Sequence, residues 1–119
     1  MKIVKMGEVP REPAPSPLHT GDDVTRQILF PESQQYKVYV ANWGKNMRNK
    51  FHVHDCEQIL IITAGKGIVA TEEEERSVTV GDVILISAGE KHCHGATEES
   101  ECSHIYIMKA DFKTTQLED

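Results

Sequence analysis

Several features common in other proteins are scarce in this chain. Basic residues are in the minority: 13 Lys and Arg stand against 19 Asp and Glu, for a net charge of −6. Nucleic acids and anionic membranes are both gripped by clustered positive charge, so neither is expected as a partner. No apolar run approaches the ~20 residues that cross a bilayer as a helix. The opening Met-Lys-Ile-Val-Lys-Met lacks the apolar centre of a secretion signal. Cysteine is sparse and odd in number. Cys56, Cys93 and Cys102 show no Cys-x-x-Cys spacing, which argues against a disulfide framework and fits a reducing, cytoplasmic setting. No stretch carries the 3.6-residue periodicity of an amphipathic helix.

What is present is a run of short strand patterns. The chain has 119 residues, 39% of them hydrophobic and 27% charged. That suits one globular domain with a core of its own, without covalent staples. Lys2 to Met6 alternates as a short edge strand. Four prolines, Pro10, Pro13, Pro15 and Pro17, then fix an extended arm, because proline removes backbone donors and locks φ. The arm is expected to wrap the domain or a neighbouring copy. Strands are read at Thr25–Phe30, Tyr36–Ala41, Gln58–Thr63, Ile68–Thr71, Ser77–Val80, Val83–Ser87, His92–Gly95 and Ser103–Lys109. Ala64-Gly65-Lys66-Gly67 is read as a turn, and so is Gly81-Asp82. Glu72 to Glu75 and the run Glu98, Glu99, Glu101 read as solvated loops. The polar tail from Asp111 is expected to be loose. Closely spaced short strands mean an all-β sandwich or barrel. The organisation is one domain over 1–119: an arm at 1–24, a barrel at 25–110 and a tail at 111–119.

Five of the six histidines lie between His52 and His104, as His52-x-His54, His92-x-His94 and His104. Residues two apart on a strand share a face, so His52 and His54 present two imidazoles side by side. Gln58 has the same parity if that strand continues. Neutral imidazole is the commonest protein ligand for a transition metal, and a barrel interior is where such strands converge.

The spacing resembles the two motifs of the cupins. His52-x-His54, three residues, Gln58, six residues and Gly65 is similar to the first. Gly81, five residues, Ser87-Ala88-Gly89, two residues and His92 is similar to the second. The chain departs in three places. Gln58 stands where the motif has glutamate, with Glu57 one position early and on the opposite face of a regular strand. Ser87 replaces the motif proline, and Ala96 stands where asparagine is common. The resemblance implies a double-stranded β-helix (jelly-roll) barrel. It is strongest to the small cupins that include manganese-dependent hydroxynitrile lyases. It implies a metal held by His52, His54, Gln58 and His92, with His94 and His104 over the metal. Those two are read either as the catalytic acid or base, since imidazole suits proton transfer near neutral pH, or as histidines that line the pocket or support a ligand.

Three imidazoles and an amide oxygen leave a divalent cation its full charge, favouring an anionic oxygen or a bound hydroxide. Gln58 is read either as a ligand or as a hydrogen-bonder that orients a histidine. Cys56 shares the parity and would shift the metal towards zinc if it ligated. Tyr106 and Met108 are read as pocket wall, Trp43 and Phe51 as lining or cap, Cys93 and Cys102 as inert, and His19 as solvent-exposed. The expected function is a metal-dependent enzyme, with Mn, Fe, Ni or Zn, acting on a small oxygenated substrate by lyase or dioxygenase chemistry. The alternatives are a non-catalytic ligand-binding or metal-binding module and a metal-free structural barrel. A cytoplasmic homodimer is expected, because a jelly roll with an extended arm leaves edges that pairing covers.

Overall fold

A computed structural model describes residues 1–119. A 3-10 turn at Met6–Glu8 precedes ten strands. These are β1 (Glu12–Pro13), β2 (Val24–Ile28), β3 (Tyr36–Trp43), β4 (His52–His54), β5 (Gln58–Thr71), β6 (Glu75–Thr79), β7 (Val83–Ile86), β8 (His92–Ala96), β9 (Cys102–Lys109) and β10 (Thr114–Gln116). One sheet runs β1-β2-β3-β9-β5-β7 and the other β6-β5-β8-β4-β10, all antiparallel. The first half of β5 belongs to one sheet and its second half to the other, which closes the expected jelly-roll barrel. Between the sheets, Val24, Ala41, Trp43, Ile62, Val78, Ala96 and Cys102 form a contiguous buried cluster.

The segment read as strand–turn–strand at 58–71 is one bent strand. Its register against β9 shifts between Ile62 and Ala64, a β-bulge. Gly65 has φ +71°, and a Cβ there would collide with the Glu101 carbonyl. At Gly67 a Cβ would meet the Gly95 carbonyl oxygen at 2.5 Å and Cys102 Sγ at 2.6 Å. These glycines let the strand pass tightly from one sheet to the other; they do not reverse it.

Both chain ends also differ from expectation. Lys2–Met6 is not a strand. Gln27 Nε2 donates to the carbonyls of Met6 and Val9, both at 2.9 Å, so a side chain takes acceptors that a strand neighbour would have used. The proline arm wraps its own barrel. β1 pairs with β2, Thr20 N donates to the Arg48 carbonyl at 2.9 Å, and Lys50 N donates to that of Leu18 at 2.7 Å. The tail is tied down as well. β10 pairs with β4, and the Glu118 carboxylate accepts from both Nη atoms of Arg48 and from Phe51 N.

Candidate metal centre

His52 and His54 leave β4 on one face, and His92 on β8 stands directly opposite His52. The ligand atoms of the three imidazoles lie within 4.8 Å of one another, and all three rings are buried. The strand carrying His52 and His54 does not continue to Gln58. It stops at His54, and Asp55 turns the chain by exchanging hydrogen bonds with Lys113, Asp55 N to the Lys113 carbonyl at 3.1 Å and Lys113 N to Oδ1 at 2.8 Å. Gln58 then opens β5 and re-enters the interior, 4% exposed, while Glu57 faces solvent.

The tautomers follow from the outer partners. His52 Nδ1 donates to the Lys50 carbonyl at 2.6 Å and His92 Nδ1 to the Glu90 carbonyl at 2.8 Å. His54 Nδ1 lies 2.9 Å from Thr114 Oγ1, a hydroxyl able to accept its proton. A neutral imidazole carries one proton, so Nε2 of His52 and of His92 is left as a lone pair, and Nε2 of His54 is one when Thr114 accepts from its Nδ1. The Nε2 of His54 is buried without a partner. That of His92 lies 3.3 Å from Gln58 Oε1, while Gln58 Nε2 donates to Met108 Sδ at 3.5 Å. Two acceptors therefore face each other beside a third, orphaned one. Three buried imidazoles with ligand atoms within 4.8 Å of one another and an amide oxygen beside them are a donor set that a shared cation would satisfy, so these residues fit a divalent metal.

Burial keeps the rings neutral. It pushes His52 down to about 3 and His54 to about 4, with the neighbouring His92 adding to both, and lowers His92 as well. Ligation needs the neutral form.

His94 and His104 lie on the inner side of β8 and β9, ring centroids 4.9 Å apart. Burial lowers both, His104 to about 4. Asn49 fixes His94: its Oδ1 accepts from His94 N at 2.8 Å, which turns its Nδ2 towards His94 Nε2 at 3.2 Å. The His94 proton then sits on Nδ1, which is buried and unpartnered. Trp43 Nε1 donates to His104 Nε2 at 2.9 Å, so that lone pair is occupied.

The cupin domain model matches residues 42–108. The chain belongs to the cupin family. It is 38% identical over 112 residues to the (R)-mandelonitrile lyase of Granulicella tundricola, covering 92% of this chain and 85% of that one. It also resembles a cupin-like protein of Thermotoga maritima, with a TM-score of 0.82 and 27% identity, covering all of this cupin and 90% of the other. The polyketide cyclase of Streptomyces resistomycificus shares the fold with a TM-score of 0.82 at 17% identity, over 100% of this chain and 88% of that one.

This cupin opens on a cavity of about 560 Å³ whose wall includes His52, His54, Gln58 and His94. Trp43, Tyr106 and Met108 line it, and Phe51 does not; the Lys91 ammonium sits 5.6 Å over the Phe51 ring instead. His19, read as solvent-exposed, is half-buried in the cavity wall. Its ring meets Trp43 edge-on with centroids 5.0 Å apart, because the arm is stitched against Arg48 to Lys50. Cys56 lies in the turn after β4 and is outside the imidazole cluster. Burial pushes the Cys93 thiol up and that of Cys102 to about 11. Thr114 and Asn49 were not singled out from sequence. Nothing local marks a threonine 60 residues away as the partner of His54, or Asn49 as that of His94.

Proposed function

We propose that this cupin is a metal-dependent lyase that cleaves a small hydroxylated substrate of the cyanohydrin or hydroxy-carbonyl kind. The observation that carries the reading is the convergence of the buried imidazoles of His52, His54 and His92, with His54 Nε2 unpartnered and Gln58 beside His92. The likeness to the (R)-mandelonitrile lyase of Granulicella tundricola supports lyase over oxygenase chemistry. A divalent cation of the Mn, Fe, Ni or Zn group, held by those four side chains, supplies a Lewis acid for the substrate oxygen. His94 acts directly on the substrate: as the carbon–carbon bond breaks and the hydroxyl becomes a carbonyl, its Nδ1–H is a hydrogen-bond donor for charge developing on the departing group, which leaves carrying the proton that the hydroxyl gives up. His104, already engaged by Trp43, positions the Trp43 and His94 rings. The apolar outer face of the β5–β7 sheet supports a homodimer as the working form, and the three unpaired cysteines support the cytoplasm as its location.

The test is elemental analysis of chelator-free protein, followed by turnover of racemic mandelonitrile read as benzaldehyde release, beside His52→Ala and His94→Ala. The expected result is near-stoichiometric metal in the wild type and in His94→Ala, loss of metal in His52→Ala, and turnover in the wild type alone. A wild type that takes up no metal after reconstitution removes the reading. Oxygen uptake with substrate but no aldehyde release would move it to an oxygenase.

A further inference from the structure

The cavity differs in charge from the rest of the molecule. The protein carries −6, yet no Asp, Glu or Lys lines the cavity, and its only permanently charged group is Arg26. The four side chains assigned to the metal are all neutral, so a divalent ion there keeps its whole charge. Such an ion would favour an anion inside, and Arg26, although paired with Glu12, offers the cavity a cationic donor edge independently of it.

Arg26 is placed to use that field. It stands opposite Ala41, which stands opposite His104, which stands opposite Ile62. Residues directly opposite across strands share a face, so Arg26 lies in the row of His104, two strands away, or roughly 10 Å at the usual strand spacing. Ala41, the residue between them, is small. The guanidinium is steadied from outside: Nε donates to Glu12 Oε1 at 2.8 Å, and the Tyr39 ring lies 5.9 Å from Cζ. Neither Nη atom has a hydrogen-bond partner in the protein. That edge is the pair of parallel donors that binds a carboxylate in bidentate fashion.

We propose that Arg26 is an anchor for a substrate carboxylate, so that the natural substrate is a small organic acid whose carboxylate lies several bonds from the reacting hydroxyl. A one-ring acid has the right span, and the rings of Trp43, Tyr106, Phe112 and His19 in the same cavity suit an arene. The inference rests on the cavity being the substrate site, as the lyase reading has it, but not on the metal.

The experiment compares binding of 4-formylbenzoate with that of its neutral counterpart 4-formylbenzamide by titration calorimetry. It uses metal-loaded and chelator-stripped protein, for the wild type, Arg26→Gln and Glu12→Gln. The wild type is expected to hold the acid about tenfold more tightly than the amide, and Arg26→Gln to bring that ratio below about threefold with amide affinity unchanged. Glu12→Gln breaks the same ion pair but keeps the guanidinium, so the preference should persist or grow, which separates anchoring from a structural role. Three results would overturn the proposal: no acid preference in the wild type, a preference that survives in Arg26→Gln, or equal weakening of both ligands by that substitution. A preference present only in metal-loaded protein and untouched by Arg26→Gln would assign the anion to the metal. Protein that binds no metal ends the lyase reading, while the ratio in stripped protein still decides the role of Arg26.

Discussion

The three clustered histidines, His52, His54 and His92, are not held alike. His52 and His92 lean on main-chain carbonyls, whereas His54 depends on one hydroxyl, Thr114 Oγ1, from the last strand. Thr114→Val keeps the shape and deletes that partner. It is expected to weaken metal affinity by about 10–100-fold with little change in fold, read by metal competition against a chromogenic chelator; unchanged affinity would mean that burial alone orients the ring. The buried histidines, His104 among them, set the acid limit of the metal-free protein. Their folded pKa values are depressed, with His52 at about 3 and both His54 and His104 at about 4. Below the ordinary value of about 6.5 the unfolded chain takes up protons that the folded chain refuses, so stability is full above that pH and falls as pH drops towards 4. Thermal denaturation of stripped protein should show Tm declining from pH 7 to pH 5. A flat profile would contradict neutral buried rings.

β5 is the element on which the barrel turns, because it pairs with β9 and β7 in one sheet and with β8 and β6 in the other. It begins with Gln58 beside the histidine cluster, and its far half aligns β8, with Thr71 opposite His92 and Val69 opposite His94. The crossing at Gly65 to Gly67 thus fixes the spacing between His92 and His94 on β8 and Gln58 at the start of β5. Gly67→Ala puts a methyl group against a carbonyl and a buried thiol, so a loss of about 1–3 kcal/mol in urea unfolding is expected, the usual range for overpacking. An unchanged midpoint would show that Cys102 gives way. The sequence placed a turn here because glycine-rich dipeptides commonly turn. A bulged crossing uses the same conformational freedom, and the two differ only in what the next residues pair with.

At the scale of the whole molecule, the unexplained surface is apolar. Val83 is 65% exposed and Leu85 61%, on an edge strand. Leu85 lies opposite Ile59, which lies opposite Ile107, and Val83 opposite Ile61, which lies opposite Ile105. Two rows of aliphatic side chains on the outer face form a surface that monomers rarely leave to water. It gives the proposed homodimer a physical basis different from the bare edges and extended arm that the sequence suggested, since the arm is occupied on its own barrel. Sedimentation at micromolar concentration should show a dimer for the wild type and a shift to monomer for Leu85→Glu. A monomeric wild type would remove the dimer, and a dimer that tolerates the charge would place its interface elsewhere.

The sequence alone determined the strand-rich composition, most strand positions, and the pairing of two histidine motifs whose spacing implies the barrel and the metal-facing residues. Those are local properties: parity along a strand, β-branched runs and fixed intervals between donors. The rest was decided by contacts between segments far apart in the chain. The bend of β5, the capture of the tail by Arg48 and β4, the arm folded over the cavity with His19 in its wall, and the Thr114 and Asn49 partners of the histidines leave no periodic trace. The register between strands that meet only after the barrel closes chooses those neighbours. It also decides that a protein with 19 acidic residues keeps every one of them out of its cavity.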